Sequence, residues 1–368
     1  MNIKIAYSTK PAVEAVITDL KTQLGSFTPK LLIFFASSRF APEPLSCQMH
    51  AAFSPAVVFG NTTAGEIVSG RMLKNAVVAM AFNAEALPDF EIAVVERIRT
   101  ENRIPQAFTA FEKHFGTPMA KLDPQQYIGL ILVDGLSGAE EKSMDKIGDL
   151  TNIFFVGGSA GDDLKFARTY VFANGQAYSD AAVLAILQPA ARFAVIKTQS
   201  FCALRKTLLA TKVNPARREV LEFNHKPALQ AYAEAVGVPA QDAADYFMSN
   251  PVGVVAEGDI FVRSPQRLEG ESMLFYCNVL EGMELSLLAS TNIIEDTRQA
   301  LAQKTQELGR ISGILNFHCI LRTLELEKKG LTEAYGRLFA EIPTIGFSTY
   351  GEEYVGHLNQ TATMVAFE

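Results

Sequence analysis

The sequence contains no tryptophan, and it has only four cysteines and five histidines in 368 residues. No two cysteines stand close enough along the chain to form the paired motif of a structural zinc site. So few cysteines in a chain of this length also do not indicate a secreted disulfide scaffold. We therefore expect reduced thiols, no metal and no cofactor. His114, His225 and His357 have no recognisable partners and are expected at the surface or at caps.

The sequence also lacks the features of a nucleic-acid-binding or membrane protein. The net charge is -7, and lysine and arginine form no basic cluster of the kind that binds a phosphate backbone. No apolar run is long enough to cross a bilayer, and the alternating start of the chain lacks the apolar core of a signal peptide. We expect a cytoplasmic protein that binds neither nucleic acid nor membrane.

What the sequence does contain is typical of a large packed core. Hydrophobic residues make up 48% of the chain and charged residues 20%. Short apolar strands alternate with helical patterns, and Asn174-Gly175 predicts a tight hairpin. Because strands, hairpins and helices are mixed, we predict an α/β (α+β) fold of mixed, largely antiparallel sheets packed together, with helices on their outer faces. A boundary at Gln188-Pro189 divides the chain into two halves, 1–189 and 190–368.

The ends of several helices are marked in the sequence. Asn292 predicts the N-cap of a long helix that ends at Gly309. Ser137 predicts the N-cap of a polar helix, and Gly330 predicts a break in the helix that begins near Ile320.

An internal repeat is more informative than any single motif. The segments 57–66 and 343–352 both contain an apolar strand, a glycine, a hydroxyl residue and Gly-Glu, and an apolar strand follows each. The segment 156–162 is a weaker copy, so the chain is expected to contain duplicated structural units. The polar and glycine positions of these turns are Thr62, Thr63, Gly65, Glu66, Gly158, Ser159, Asp162, Asp163, Ser348, Thr349, Tyr350 and Glu352.

These turns are candidate ligand-binding elements. Polar groups on loops at strand ends are where α/β proteins build binding sites, so we predict that the turns converge on one cleft. The alternative is that the glycines serve tight turns while threonine and glutamate bond to local backbone groups.

Two arginines and one cysteine complete the predicted site. Arg263 lies in an apolar strand, where its guanidinium suits a ligand carboxylate, although an edge-strand arginine facing water fits equally well. Arg322 has the same interpretation, with a helix-surface ion pair to Glu325 as the alternative. Cys319 is predicted as a pocket residue and not as a nucleophile, because the adjacent His318 points to the opposite face of the strand.

These segments resemble the FIST family. The run from Gly158 to Asp163 and the earlier Thr63-Ala64-Gly65-Glu66 are similar to its N-terminal region. The segments 261–265, 317–322 and 346–352 are similar to its C-terminal region, so the two halves correspond to a FIST N-terminal and a FIST C-terminal domain. The resemblance implies a sensory role in signal transduction and a small ligand, for which an amino acid is the usual suggestion. No kinase, cyclase or chemotaxis segment is recognisable, so we expect either a separate signalling output protein as the partner or another use of the pocket.

We therefore predict a sensory module in which the turn acids and Arg263 hold a small polar, amino-acid-like ligand. The alternative is a hydrolase-like enzyme that uses a loop threonine or Cys319, although no general base or catalytic residue can be assigned. A third possibility is an interaction scaffold, which would have an exposed apolar patch and no cleft.

Overall fold

The computed structural model describes residues 2–101 and 103–368, so Met1 and Asn102 of the predicted first domain lie outside the described residues. The chain forms two compact units. The first comprises the chain up to Lys197 with Arg298–His357 and Ala362–Glu368, and the second comprises Thr198–Thr297 with Leu358–Thr361. The division at residue 189 stays a prediction about domains, and the compact units follow other bounds.

The strands and helices follow one another along the chain in three groups. The first group is β1 (Ile3–Ser8), α1 (Val13–Leu24), β2 (Leu31–Ser37), α2 (Pro42–Phe53), β3 (Val57–Thr63), β4 (Glu66–Val68), β5 (Arg71–Leu73), β6 (Val77–Phe82), β7 (Asp89–Glu96), α3 (Ile104–Phe115), β8 (Ile128–Val133), α4 (Glu140–Gly148), β9 (Phe155–Ser159), β10 (Val171–Ala173), β11 (Gln176–Tyr178), β12 (Ala181–Gln188) and β13 (Phe193–Gln199). The second group is β14 (Phe201–Asn214), β15 (Glu219–Phe223), β16 (Lys226–Pro227), α5 (Ala228–Val236), β17 (Val252–Ala256), β18 (Asp259–Arg263), β19 (Pro265–Glu269), β20 (Ser272–Phe275) and β21 (Glu284–Ser290). The last group is α6 (Ile293–Leu308), β22 (Gly313–Cys319), α7 (Ile320–Lys329), α8 (Thr332–Arg337), β23 (Thr344–Thr349), β24 (Glu352–Tyr354), β25 (Gly356–Leu358) and β26 (Thr361–Phe367).

The first unit contains one arrangement of elements in three copies. In each copy a helical segment joins two parallel strands, namely β2 and β3, β8 and β9, or β22 and β23. A short hairpin follows, and an antiparallel strand then returns beside the first strand. We call β1–β6 the first repeat, β7–β12 the second, and β13 with α6–β26 the third. The prediction of repeated strand–glycine-turn–strand units is confirmed.

Each hairpin pairs with a strand of a different repeat. The β4–β5 hairpin of the first repeat pairs with β23, where Glu66 lies opposite Phe347. The β10–β11 hairpin of the second repeat pairs with β3, and the β24–β25 hairpin of the third pairs with β9. The result is three six-stranded sheets with one strand order, β1-β6-β2-β3-β10-β11, β7-β12-β8-β9-β24-β25 and β13-β26-β22-β23-β4-β5.

The inner faces of the three sheets share one hydrophobic core. Phe35 of the first sheet packs on Phe347 of the third with ring centroids 4.6 Å apart, and Phe82 packs edge-on against Phe367 at 5.3 Å. Leu130 and Leu132 of the second sheet lie in the same cluster. Because burying a side chain of this size stabilises by about 1.5–3 kcal/mol, this cluster is a major source of stability in the unit.

Helices cover the outer faces of the sheets. Apolar residues of α1 and α2, among them Leu20 and Met49, pack on the first sheet. Phe108 and Phe111 of α3 pack with Met144 of α4 on the second sheet. The predicted class, mixed and largely antiparallel sheets packed together with outer helices, is confirmed.

The predicted helix ends are mostly confirmed. The side-chain oxygen of Asn292 accepts hydrogen bonds from the first turn of α6, at 3.0 Å and 3.2 Å, and Gly309 follows the helix with φ 81°. Gly330, at φ 68°, separates α7 from α8. The prediction for Ser137 is wrong, because α4 begins only at Glu140 and the Ser137 hydroxyl accepts from the N–H of Ala139 at 3.2 Å.

The second unit is built on one antiparallel sheet. Its strand order is β18-β17-β21-β14-β15-β20-β19, and β16 pairs with β15. Helix α5 packs on this sheet through Tyr232, which also contacts Phe247 edge-on at 5.4 Å. The Tyr232 hydroxyl donates to the carbonyl of Asn250 at 2.8 Å, so the buried ring has both an apolar and a polar partner.

The three parallel strand pairs share a glycine at a point of close backbone approach. A Cβ on Gly60 would lie 1.8 Å from the carbonyl oxygen of Phe34, and a Cβ on Gly157 would lie 1.7 Å from that of Ile131. Gly346 has the same contact at 2.2 Å. A side chain at any of these positions would force the paired strands apart.

We predict that Gly60→Ala destabilises the chain by about 2–4 kcal/mol, because the new methyl group overlaps a backbone oxygen. The matched control is Gly148→Ala in α4, where a Cβ meets nothing within 4 Å. There we expect no loss and a gain of up to about 1 kcal/mol from helix propensity. Guanidinium denaturation of both variants provides the comparison, and equal stabilities would contradict the close approach.

Candidate functional site

The turns that follow the parallel strand pairs meet at one place in the first unit. Their backbones form a closed ring of hydrogen bonds, in which each turn donates to another repeat. The bonds are Ala64 N–H to Ser348 O, Gly161 N–H to Thr62 O and Tyr350 N–H to Ser159 O, at 3.1, 2.9 and 3.1 Å. The residues selected from the sequence as polar turn positions are thus brought together, and their role in ligand binding stays a prediction.

Two of the selected glycines let these turns pack closely. A Cβ on Gly158 would lie 2.5 Å from the methyl carbon of Thr349, and Gly65 has φ 126° with its Cβ position 3.4 Å from the Ser348 hydroxyl. The hydroxyl of Thr62 accepts from the N–H of Tyr170 at 3.0 Å. These three residues join one repeat to the next.

Buried threonine–glutamate pairs occupy equivalent positions in the first and third turns. The Thr63 hydroxyl donates to the Glu66 carboxyl group, and the Thr349 hydroxyl donates to that of Glu352 at 2.5 Å. The other Glu66 oxygen accepts from the N–H of Ala76 at 3.0 Å. Burial raises the pKa of Glu66 to about 8 against the opposing effect of these two hydrogen bonds, and nearby Asp163 also raises it. The carboxyl group of Glu66 is therefore mostly protonated at neutral pH.

The second turn is longer than the other two. Thr62 N–H donates to the carbonyl of Tyr170, and the equivalent bond in the first turn runs from Ser348 to Gly65. Residues 162–169 are therefore an insertion between positions that are adjacent in the first turn.

Asp162 organises this inserted segment. Its carboxylate accepts from the N–H groups of Phe166, Ala167 and Arg168 at 2.7–3.0 Å, and from the Tyr350 hydroxyl at 2.5 Å. Although burial raises the pKa of Asp162, the hydrogen bonds from Tyr350 and the three backbone groups lower it below its ordinary range. Burial and the Asp162 carboxylate raise the pKa of Tyr350, so its hydroxyl keeps its proton.

Asp163 points to the first repeat. Its carboxylate accepts from the hydroxyls of Ser37 and Ser38 at 3.2 and 2.6 Å, and the Lys165 ammonium lies 4.0 Å away. A cavity of about 220 Å³ adjoins these groups. Its lining residues are Ala64, Lys74, Asn75, Asp163, Leu164, Lys165, Ile320, Leu324 and Glu327.

A second polar cluster surrounds Ser159. The Ser159 hydroxyl lies 3.4 Å from Glu140 and 3.3 Å from Glu353, and the Glu353 carboxylate pairs with the His357 ring at 3.0 Å. All four side chains are buried. Although burial opposes the charged imidazole, Glu353, Glu140 and the nearby Glu141 raise the pKa of His357 to about 9. The expectation that His357 is a surface or capping residue is wrong, because the ring is buried and pairs with Glu353.

A third polar group lies beneath α7 in the third repeat. Cys319 ends β22 and is buried, and Arg322 is buried on the sheet side of the helix, where it hydrogen-bonds Tyr335. The alternative of a helix-surface pair between Arg322 and Glu325 is wrong, since Arg322 is buried.

Further polar side chains are buried between α7 and the strands beneath it. The hydroxyls of Ser348 and Thr323 lie 2.8 Å apart, and the Asn316 amide donates to Tyr335 at 3.3 Å. His318 packs against the Tyr335 ring, and neither of its ring nitrogens has a hydrogen-bond partner. Burial and the Arg322 charge hold the pKa of His318 well below its ordinary value, so the imidazole is neutral.

The other repeats have apolar residues at the same positions. The position of Asn316 opposite Gly346 is taken by Phe34 and Ile131, which lie opposite the corresponding glycines. The position of His318 is taken by Ala36 and Val133. The polar group beneath α7 is therefore specific to the third repeat.

Arg263 lies in the second unit. Its guanidinium donates to the carbonyls of Asn278 at 3.1 Å and Val262 at 3.2 Å. These contacts describe an arginine bonded to local backbone, and its assignment as a ligand residue stays a prediction.

A second cleft, of about 850 Å³, lies at the opposite, amino-terminal ends of the parallel strands. It is next to Phe82, Arg310 and Phe367.

Within residues 2–101 and 103–368, no group of three or more His, Cys, Asp or Glu side chains is suited to hold a metal ion. No helix of that same part of the chain is long and apolar enough to span a membrane.

These features define a three-repeat α+β protein with an inserted second unit and with polar turns gathered at its strand ends. The family model of the FIST N domain matches residues 30–226, and that of the FIST C domain matches residues 228–354. The chain belongs to the FIST family, whose domains are associated with sensory roles in signal transduction.

One curated relative has a similar segment. The uncharacterized protein MJ1623 of Methanocaldococcus jannaschii is 24% identical over 185 residues, which cover 46% of this chain. The matched segment spans 36% of that protein's length.

The raised pKa of Glu66 predicts a pH-dependent stability. A folded-state pKa near 8, above the ordinary 4.5, means that the stabilising contribution is complete below about pH 4.5 and is lost as the pH rises towards 8. Glu66→Gln mimics the protonated form and abolishes this titration. We expect the stability of the wild type relative to Glu66→Gln to fall by up to about 1.4 kcal/mol per pH unit between these limits. Urea denaturation across this range measures the difference, and parallel pH profiles would show that Glu66 titrates normally.

The unpartnered His318 predicts a substitution that stabilises the chain. His318→Val installs the residue of the second repeat and leaves no buried ring nitrogen without a partner. We expect the free energy of unfolding to rise by about 1 kcal/mol, as measured by denaturant unfolding. The control is His114→Val, which removes a contact to Asp89 at 2.8 Å and should give no gain. A loss of stability in His318→Val would mean that the imidazole has a stabilising contact.

Proposed function

We propose that this chain is a sensory domain that binds a small polar ligand, an amino acid or a close relative, in the 220 Å³ cavity beside the inserted turn. The observation that carries the proposal is the lining of that cavity. It contains groups of both charge signs next to the place where the turns of all three repeats converge. Binding sites of α/β proteins are commonly built from such strand-end loops.

The charges of the cavity suit a zwitterion. Asp163 is placed to receive an ammonium group and Lys165 a carboxylate, while Ile320 and Leu324 offer an apolar surface for a side chain. Lys74 already pairs with Glu327 at 2.6 Å, so Lys165 is the better partner for the ligand. The volume is below the roughly 300–1,000 Å³ of drug-sized sites, which favours a small metabolite.

The helix beside the cavity adds to this preference for an anionic group. Ile320 is the first residue of α7, and it lines the cavity. The unpaired N–H groups at a helix start carry partial positive charge and attract carboxylates. A ligand carboxylate would therefore be stabilised by Lys165 and by the start of α7.

A hydrolase-like activity has less support. The side chains that it would use, Thr63, Thr349 and Cys319, are all buried. Both threonine hydroxyls already donate to buried glutamates, so a substrate would have to displace packed turns to reach them. We propose binding without turnover, a cytoplasmic location, and a separate output protein as the partner of this domain.

The test is a binding screen with the proteinogenic amino acids and with their deaminated and decarboxylated analogues. A ligand at a hundred times its Kd stabilises by about 2.7 kcal/mol, so a binder should raise Tm by several degrees. We expect Asp163→Asn and Lys165→Met each to weaken binding at least about tenfold in calorimetry, because each loses one charge of the zwitterion site.

The controls separate this cavity from other assignments. Asp149→Asn removes an exposed carboxylate of α4's C-terminal end and should leave binding unchanged. If Arg263→Ala removed the response while Asp163→Asn kept it, the cavity assignment would be wrong and the sequence-based assignment of Arg263 would be favoured. A silent panel would remove the amino-acid proposal altogether.

A further inference from the structure

We propose that residues 162–168, which we call the lid loop, close over the cavity and are held closed by Tyr350 of the third repeat. The inference rests on the proposed function, because it assigns regulation of the same cavity. Asp163, Leu164 and Lys165 of the lid loop line the cavity. The lid loop therefore forms part of the wall of the site.

The lid loop is an addition to the repeat. In the first and third turns, two residues connect the strand end to the hairpin, namely Ala64-Gly65 and Tyr350-Gly351. In the second turn, the segment 162–169 is inserted between the two equivalent positions, Gly161 and Tyr170. An insertion at one of three equivalent turns does not serve the shared framework, and such added loops commonly carry function.

The backbone of the lid loop is intrinsically unfavourable. Asp163, Leu164 and Phe166 have φ values of 56°, 63° and 49°. This left-handed region disfavours residues with side chains, above all bulky ones such as leucine and phenylalanine. External contacts must therefore maintain the conformation.

Tyr350 supplies the contacts from the third repeat. Its hydroxyl donates to Asp162 at 2.5 Å and accepts from the N–H of Leu164 at 2.9 Å. Its ring stacks on Phe166 with centroids 5.0 Å apart. Apolar burial contributes little, since Leu164 is 40% exposed and Phe166 is 55% exposed. The loop is otherwise held by polar contacts of Asp163 and Lys165 with Ser37 and Ser38. A loop held by such contacts and not by a core can open without unfolding the domain.

A ligand would act on this balance directly. Asp163 bonds to Ser37 and Ser38 of the first repeat, and Lys165 donates to Ser38 at 2.9 Å. An ammonium group on Asp163 and a carboxylate on Lys165 would add bonds on the cavity side of the lid loop. Ligand binding would therefore favour the closed loop, and loss of the Tyr350 hydroxyl would favour the open one.

The experiment compares Tyr350→Phe with wild type and with Tyr246→Phe, an exposed tyrosine of the second unit. We expect amide hydrogen exchange of Leu164, Phe166 and Ala167 to accelerate about tenfold or more in Tyr350→Phe, because one charge-assisted hydrogen bond is lost. Exchange in the neighbouring strand β10 should not change, and Tyr246→Phe should behave as wild type.

A second readout, which needs no ligand, tests whether opening of the lid loop exposes the cavity. Leu324→Cys places a thiol on the cavity wall, in a background in which the exposed Cys47 and Cys202 are serine. We expect iodoacetamide to react with it about tenfold faster when Tyr350→Phe is added. If Tyr350→Phe folds poorly, Phe166→Ala provides the same test, because it changes an exposed residue that stacks on Tyr350. It should also accelerate both hydrogen exchange and alkylation.

The outcomes distinguish the lid from the proposed function. Faster exchange with faster alkylation supports the lid, whereas unchanged alkylation overturns it even if the loop exchanges faster. An amino acid that binds without slowing either readout in the wild type also overturns the lid and leaves the cavity proposal intact. A silent amino-acid panel overturns only the ligand class, because the alkylation comparison needs no ligand.

Discussion

The exchange of hairpins among the repeats is the constraint on which the first unit depends. Every sheet obtains its last two strands from another repeat, so a complete sheet requires two repeats and the full set requires all three. The pairing of Glu66 with Phe347 shows how far apart in sequence these partners lie. Because the hairpins leave their own repeats directly after the turns, the turns must cross one another, and their convergence is a consequence of the exchange.

On this common framework the repeats differ mainly in their polar residues. The first and third keep a buried threonine–glutamate pair, and the second has Ala160 and Val171 at those positions. The second repeat instead carries the lid loop. The third repeat has Asn316 and His318 at positions where the other two repeats have apolar residues. Burying such groups without partners costs stability, so positions at which one repeat departs from the others are the strongest candidates for function.

The sequence predicts the local features of this fold well. The repeated glycine turns, the N-cap at Asn292 and the break at Gly330 depend on neighbouring residues, and the structure confirms them. The tight hairpin predicted at Asn174-Gly175 forms between β10 and β11. Sequence reasoning missed helix α2, and it missed the β4–β5 and β24–β25 hairpins, whose three-residue strands are too brief to show a period. It also could not show which sheet each hairpin joins, because that choice is made by packing between distant segments.

The same limit applies to the candidate site. The polar turn residues could be selected from the repeat, but their partners could not. His357 lies four residues from Glu353, a spacing without meaning in a hairpin, and its other neighbour Glu140 is far away in sequence. Arg322 has a suitable surface partner at Glu325, yet it is buried, because α7 turns this position towards the sheet. Only the apolar residues at the equivalent positions of the other two repeats, Ala36 and Val133, mark His318 as unusual.

The surroundings of the turn acids decide which of them can hold a positively charged group. Glu66 is buried and mostly protonated at neutral pH, because its pKa is raised to about 8. Asp162 is ionised, but the lid loop and Tyr350 already supply four donors to its carboxylate. Glu352 is buried with Thr349. Asp163 is different, since it lines the cavity and accepts from two serine hydroxyls, with the Lys165 ammonium 4.0 Å away. A ligand ammonium group can outcompete the two hydroxyls. The acid that the ligand would contact is thus the one carried by the lid loop, which directly couples binding to loop closure.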